Sequence, residues 1–192
     1  LAEKEKQIFD IRTLCLNGNE LWIGTFSNGL KVLNLSDGKI KSYHHSYNTP
    51  NTVCSDNIQK IYKCNNGTIY IGTNWGLCYY NSEEDNFRVE TSVGAMISIT
   101  DIYEDSHNNL WIATANNGIF YNNRKDNYWK HYEHKEGGNT SLSSNSIVTL
   151  FEDSKQKIWL GTNGNGLCQF NPQTETFTTF NSNNKQLSTL VV

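Results

Sequence analysis

Leu21-Trp22-Ile23-Gly24-Thr25 returns three times along this chain, as Ile69-Tyr70-Ile71-Gly72-Thr73, Leu110-Trp111-Ile112-Ala113-Thr114 and Ile158-Trp159-Leu160-Gly161-Thr162. The spacing is 48 residues from Trp22 to Tyr70, 41 from Tyr70 to Trp111, and 48 from Trp111 to Trp159. That period suits a four-stranded propeller blade and is too long for ankyrin or leucine-rich units. Alternation within the pentapeptide puts Trp22 and Gly24 on one face and Leu21, Ile23 and Thr25 on the other, so both faces suit burial between neighbouring sheets. The small residue two places after each aromatic leaves room for an adjacent blade.

Working outward, each anchor follows an Ile-x-x-Ile/Leu segment: Ile11/Leu14, Ile58/Ile61, Ile99/Ile102 and Ile147/Leu150. These read as the first strand of each blade and the anchors as the second, joined by turns such as Asn17-Gly18-Asn19 and Asn65-Asn66-Gly67, whose residues accept positive φ. Gly29-Leu30, Gly76-Leu77, Gly118-Ile119 and Gly166-Leu167 open a third strand. Asn34, Asn81, Asn123 and Asn171 stand five residues after those glycines and read as turn caps. Aromatics at Tyr43, Phe87, Trp129, Tyr132, Phe177 and Phe180 mark a fourth strand.

The expected fold is an all-β propeller of four-stranded antiparallel blades, in a single partial array over 1–192. Its blades span about 8–46, 56–91, 97–134 and 145–182. Leu187-Ser188-Thr189 aligns with Leu142-Ser143-Ser144, so residues 187–192 read as the start of a further blade and the whole as part of a larger propeller. An array with unpaired end blades is expected to self-associate. The long links containing Asn51–Asn57 and Asn139–Asn145 resemble each other and read as structured crossovers.

The 16 basic and 19 acidic residues are dispersed, giving a net charge of −3, so no footprint for nucleic acid appears. No apolar run approaches the roughly 20 residues that span a bilayer as a helix. Leu1 in place of an initiator Met is expected of an excised or processed piece. Cys15, Cys54, Cys64, Cys78 and Cys168 form no Cys-x-x-Cys pair and read as free thiols packed as small apolar groups. Cys78 and Cys168 hold the same repeat position.

Neither a nucleophile elbow, a phosphate-binding loop nor a kinase loop is present, and no histidine has zinc spacing. No catalytic residue, metal site or cofactor is therefore expected. His131 and His134, read as lying in one strand, would face opposite ways. Glu83-Glu84-Asp85 reads as a solvated turn and Asp105–Asn109 as an acidic hairpin corner. Loops on a rigid scaffold carry recognition. The candidate ligand contacts are thus Asn28, Asn74, Trp75, Asn117 and Asn165, between the second and third strands, with the Trp75 indole suited to stacking on a sugar face.

The Leu-Trp-Ile-Gly-Thr pentapeptide, the following Asn-Gly-Leu, the Glu104-Asp105 and Glu152-Asp153 pairs and the Leu-Ser-Ser-Asn crossover together resemble the two-component regulator propeller repeat. That resemblance implies propellers of about seven blades in the extracytoplasmic sensor region of bacterial hybrid histidine kinases, particularly those controlling polysaccharide use in gut Bacteroidetes. It implies a periplasmic, noncatalytic segment that senses a signal or glycan. Its partners would be an oligosaccharide or protein ligand, the remaining blades and the kinase modules of a parent protein. A propeller scaffold for protein partners and a carbohydrate-active propeller enzyme are the alternative classes. Tyr70 for Trp, Ala113 for Gly, and Cys15-Leu16 and Lys63-Cys64 in place of the Glu-Asp pair depart from the pattern.

Overall fold

Alternating apolar residues and turn-forming Asn and Gly produce sixteen strands, which a computed structural model describes over residues 10–138 and 140–181. They form four antiparallel meanders of four strands each. The first comprises β1 (Ile11–Asn17), β2 (Glu20–Thr25), β3 (Leu30–Asn34) and β4 (Ile40–Tyr43). The second comprises β5 (Ile58–Lys63), β6 (Ile69–Thr73), β7 (Gly76–Asn81) and β8 (Asn86–Val89). The third comprises β9 (Ile99–Glu104), β10 (Leu110–Thr114), β11 (Ile119–Asn123) and β12 (Tyr128–Tyr132). The fourth comprises β13 (Ile147–Glu152), β14 (Ile158–Thr162), β15 (Leu167–Asn171) and β16 (Thr176–Phe180). The first strands stack in chain order, β1 on β5, β5 on β9 and β9 on β13. This is an all-β propeller array. The expected opening of a further blade at 187–192 lies outside the described residues.

Every first strand carries a bulge after its opening Ile: register shifts at Ile11/Thr13, at Ile58/Lys60, opposite Ala113/Thr114 and at Ile147/Thr149. A bulge bends the strand and re-aims the Ile. Ile58, Ile99 and Ile147 are completely buried, and two of them press on the glycine of the preceding anchor. A Cβ built on Gly24 would lie 2.6 Å from Ile58 Cγ2, and one on Gly72 would lie 2.6 Å from Ile99 Cγ2. At Gly161 only Thr149 of its own blade comes within reach, among the described residues. In the third blade Ala113 packs in one cluster with Ile147.

The anchor aromatics pack on the third strand of the next blade. Trp22 meets Tyr80 edge-on at 4.9 Å and Trp111 meets Phe170 at 5.0 Å, burying both indoles to 1% and 2% exposure. Tyr70 and Trp159 are only half-buried. The corresponding position of the third blade is Asn122, and Arg124 instead covers the Tyr70 ring at 5.6 Å, pushing its phenol, already raised by burial, back down only in part, to about 12. Trp159 packs on Phe180 of its own blade.

Backbone turns follow the expected chemistry. Asn34, Asn81, Asn123 and Asn171 each accept through Oδ1 from the backbone N–H two residues on, at 2.8, 3.2, 3.1 and 3.0 Å. Replacing Gly72 by Val should force Ile99 out of its seat. The expected loss is about 1–3 kcal/mol, read as a lower urea midpoint with an unchanged slope.

Candidate ligand face and the contacts that support it

The turns between second and third strands are built by a threonine that the sequence reading passed over. Thr25, Thr73, Thr114 and Thr162 donate through Oγ1 to the carbonyls of Gly29, Gly76, Gly118 and Gly166 at 2.7–2.9 Å. The same hydroxyl accepts from the N–H of Asn28, Trp75 and Asn117. Each turn is thus closed by a buried or half-buried hydroxyl that donates, and in the first three blades also accepts, which leaves the tip residues rigidly placed.

The five candidate contacts sit at these tips but are not equivalent. Asn28 amide reaches only the neighbouring Ser27 hydroxyl at 3.4 Å. The Asn117 carbonyl receives His131 Nε2 at 2.6 Å, and the Asn165 amide donates to the Ser143 carbonyl at 3.1 Å. Trp75 is 48% exposed and meets the ring of Tyr47, itself 81% exposed, at 6.5 Å. Tyr47 in turn sits edge-on to His45 at 4.6 Å. Two buried polar atoms in these segments, His45 Nε2 and Asn74 Oδ1, have no hydrogen-bond partner among the described residues. The structure therefore brings Trp75 to an aromatic neighbour, Tyr47, that sequence reading did not select.

Tyr47 is carried by the crossover between the first two blades. His45 donates its backbone N–H to Asp56 Oδ1 at 2.8 Å, and its Nδ1 lies 2.8 Å from the Val53 carbonyl. The third crossover repeats this with His134: its N–H meets Asn145 Oδ1 and its Nδ1 the Leu142 carbonyl. Each crossover also ties to the next blade, Phe87 N–H to the Asn51 carbonyl and Phe177 N–H to the Thr140 carbonyl. The signal was present in sequence, since His45 and His134 both stand 16 residues after their strand-opening glycines, Gly29 and Gly118. This corrects the reading of His131 and His134 as one strand's opposite faces. β12 ends at Tyr132, His131 stacks flat on Phe120 at 4.1 Å, and His134 belongs to the crossover.

Several acidic residues hold specific contacts, while Glu83, Glu84 and Asp85 are exposed. Asp105 is buried and accepts from the N–H groups of His107 and Asn109 and, at 2.8 Å, from the Trp111 indole. Asp153 does the same for Trp159 at 2.9 Å. Glu152 reaches back to the preceding blade's hairpin, taking the Ser106 N–H and hydroxyl, and Glu104 takes the Asn65 N–H. Asp85 bridges blades, accepting from Lys41, from the Tyr43 hydroxyl at 2.5 Å and from the Tyr80 hydroxyl at 2.8 Å. At this opposite end of the blades an open cleft of about 610 Å³ lies between the third and fourth sheets, lined among others by Asp105, Trp111, Glu152, Lys157 and Phe170. No group of three or more His, Cys, Asp or Glu suited to a metal occurs among the described residues.

Fold and contacts together define a propeller array of short, self-similar units whose chemistry is spent on holding blades together. Comparison with known families makes the class specific. The two-component regulator propeller model matches residues 94–116 and 141–164, which run from the approach to a first strand through the anchor strand. Those two segments match the two-component regulator propeller repeat, and the anchor pentapeptides of the first two blades resemble theirs.

Over 72 residues the chain is 32% identical to histidine kinase P4 of Formosa agariphila, which covers 33% of this chain and 5% of that protein. The extracellular domain of a hybrid two-component system from B. thetaiotaomicron superposes with a TM-score of 0.70 at 27% identity, over 92% of this chain and 23% of that one. A second such extracellular domain from B. thetaiotaomicron gives 0.72 at 21% identity over 92% and 25%, a likeness of fold alone. The chain thus spans about a quarter of these two extracellular domains and a small fraction of the kinase.

Two outcomes test these contacts. Lys41 and the two tyrosines hold the Asp85 carboxyl at about 2, below its ordinary 3.8. A depressed carboxylate contributes stability above its unfolded pKa and loses it as pH falls through the folded one. The acid side of the stability curve, between about pH 4 and 2, should therefore flatten in Asp85→Asn. Asp105→Ala leaves the Trp111 N–H and two backbone N–H groups without their acceptor and should cost about 3 kcal/mol in chemical unfolding.

Proposed function

We propose that this chain is a noncatalytic, extracytoplasmic sensor segment of a hybrid two-component histidine kinase, lying in the periplasm and acting through binding. The observation that carries the reading is the two-component regulator propeller repeat on blades whose buried acids hold indoles and hairpins. The likeness to the B. thetaiotaomicron extracellular domain supports it. The ligand contact is the Trp75–Tyr47 pair, flanked by Asn74 and His45, whose unpartnered polar atoms add hydrogen-bonding capacity beside two exposed rings. Rings beside amide and imidazole groups suit the apolar face and hydroxyls of an oligosaccharide. Binding would shift the arrangement of sensor domains in a dimeric kinase through differential affinity for its two states.

The remaining blades of the parent are partners in this reading. Ile11 and Leu14 are 53% and 57% exposed, where their equivalents Ile58 and Ile61 are 0% and 3%. The expected self-association rests on the same flank and would show as concentration-dependent light scattering. For the ligand, titration with oligosaccharides from partial digests of plant and host polysaccharides should give saturable binding without new reducing ends. Trp75→Ala should weaken that binding about tenfold or more, with the unfolding midpoint unchanged. Cleavage of the sugars would replace the sensor reading by the enzyme one. A parent reading frame with no membrane helix and no histidine kinase module would overturn the assignment to a kinase.

A further inference from the structure

We infer that Cys54 and Cys78 are a matched dithiol that closes to a disulfide, stapling the first crossover to the third strand of the second blade. Cys54 lies in the crossover between Val53 and Ser55 and is partly accessible, whereas Cys78 in β7 is completely buried. Cys54 packs against the cluster that contains Cys78, and its Sγ comes within 3.8 Å of where a Cβ on Gly76 would stand, at the opening of β7.

The other long crossover supplies an internal control. Its equivalent of Val53 is Leu142, since both carbonyls meet the Nδ1 of the repeated histidine. The residue after each is therefore equivalent, Cys54 in one and Ser143 in the other. Ser143 Oγ lies 3.1 Å from Cys168 Sγ, and Cys168 holds the repeat position of Cys78. The fold thus brings these two positions into side-chain contact in the fourth blade, and in the second blade, where Cys54 packs on the cluster that holds Cys78, both are cysteine. Neighbouring side chains on two packed elements are the starting point for a disulfide, which then needs the two Cβ atoms directed at each other.

The pair is also differentiated. The neighbouring thiols perturb one another, which holds Cys54 below the ordinary thiol range and, with burial, pushes Cys78 well above it. The partly accessible sulfur, Cys54, is the one that an external disulfide can reach first. Closure is thiol–disulfide exchange with a low-molecular-weight or protein disulfide. The Cys54 thiolate attacks one donor sulfur and expels the donor's other half as a thiolate. Cys78 then loses its proton and attacks Cys54 Sγ, expelling the second half. Two protein thiols are oxidised, one donor disulfide is reduced to two thiols, and no further reactant is needed.

This inference goes beyond the sensor reading and does not rest on it, because the exchange is tested on the purified chain. The full chain, reduced and freed of reductant, is incubated with oxidised glutathione, acid-quenched, alkylated and digested without reduction. The expected product is the Cys54 peptide joined to the Cys78 peptide, two hydrogens lighter than the separate pair, with Cys15, Cys64 and Cys168 alkylated. Closing this loop should raise the thermal midpoint by on the order of 5–10 °C, reversibly with reductant. Cys54→Ser, which places in the first crossover the residue type that the third crossover has at this position, should fold and show neither the linked peptide nor the shift. Cys54 stalled as a glutathione adduct, links scattered among other cysteines, or no reaction at all would overturn the assignment.

Discussion

The array depends on one steric constraint: the second strand of a blade must present almost no side chain where the next blade's first strand begins. The Ile that opens the first strand of the second, third and fourth blades is driven inward by a bulge and is buried against Gly24, Gly72 or Ala113. A Cβ at either glycine would stand far closer to an Ile methyl than real contacts allow. Burying a whole aliphatic side chain this way contributes about 1.5–3 kcal/mol, and it also fixes the spacing between sheets. Everything outward of that contact inherits the spacing, including the aromatic edge contacts and the acid clamps between hairpins.

The departures from the repeat are coordinated by chemistry. An anchor indole buried between blades needs an acceptor for its N–H, and Asp105 and Asp153 provide one six residues earlier. In the first blade that position is Leu16, and Glu20 takes the Trp22 indole instead at 3.2 Å. In the second blade the acid is Cys64 and the anchor is Tyr70, so donor and acceptor are lost together. Arg124 then occupies the space, contacting Cys64 Sγ at 3.2 Å and lying over the tyrosine ring. Substitutions that look like independent drift in the sequence are one exchange of a hydrogen-bonded pair for a cation on a ring.

Strand order, blade phase and turn chemistry were legible because they are local: period-2 alternation, asparagine caps and strand-opening glycines act within a few residues. The role of the small residue after each anchor was legible too, since repetition of Gly or Ala beside an aromatic has few physical meanings. What the sequence concealed is non-local. Nothing adjacent to Glu83-Glu84-Asp85 reveals that Asp85 meets Lys41, Tyr43 and Tyr80, two of them in another blade. Likewise Asp105 reads as an acidic hairpin corner, which it is, but nothing local reveals that the Trp111 indole lies against it. Trp75 was visible as an unusual loop aromatic, but its neighbour Tyr47 comes from a crossover more than twenty residues away.

In the reading proposed above, that crossover carries one half of the ligand contact. Its backbone is pinned at both ends, by Asp56 and Val53 to His45 and by Asn51 to Phe87 of the following blade, so a long connection behaves as part of the scaffold. Rigid placement lowers the ordering cost of presenting Tyr47 beside Trp75, since side chains held before binding lose less freedom on binding. The third crossover has the same pins but carries Glu136 two residues after its histidine, where the first has Tyr47. Two crossovers of one architecture thus offer different surfaces. Within such an array, recognition can change by substituting exposed crossover and turn residues while the Ile seats and indole clamps stay constant.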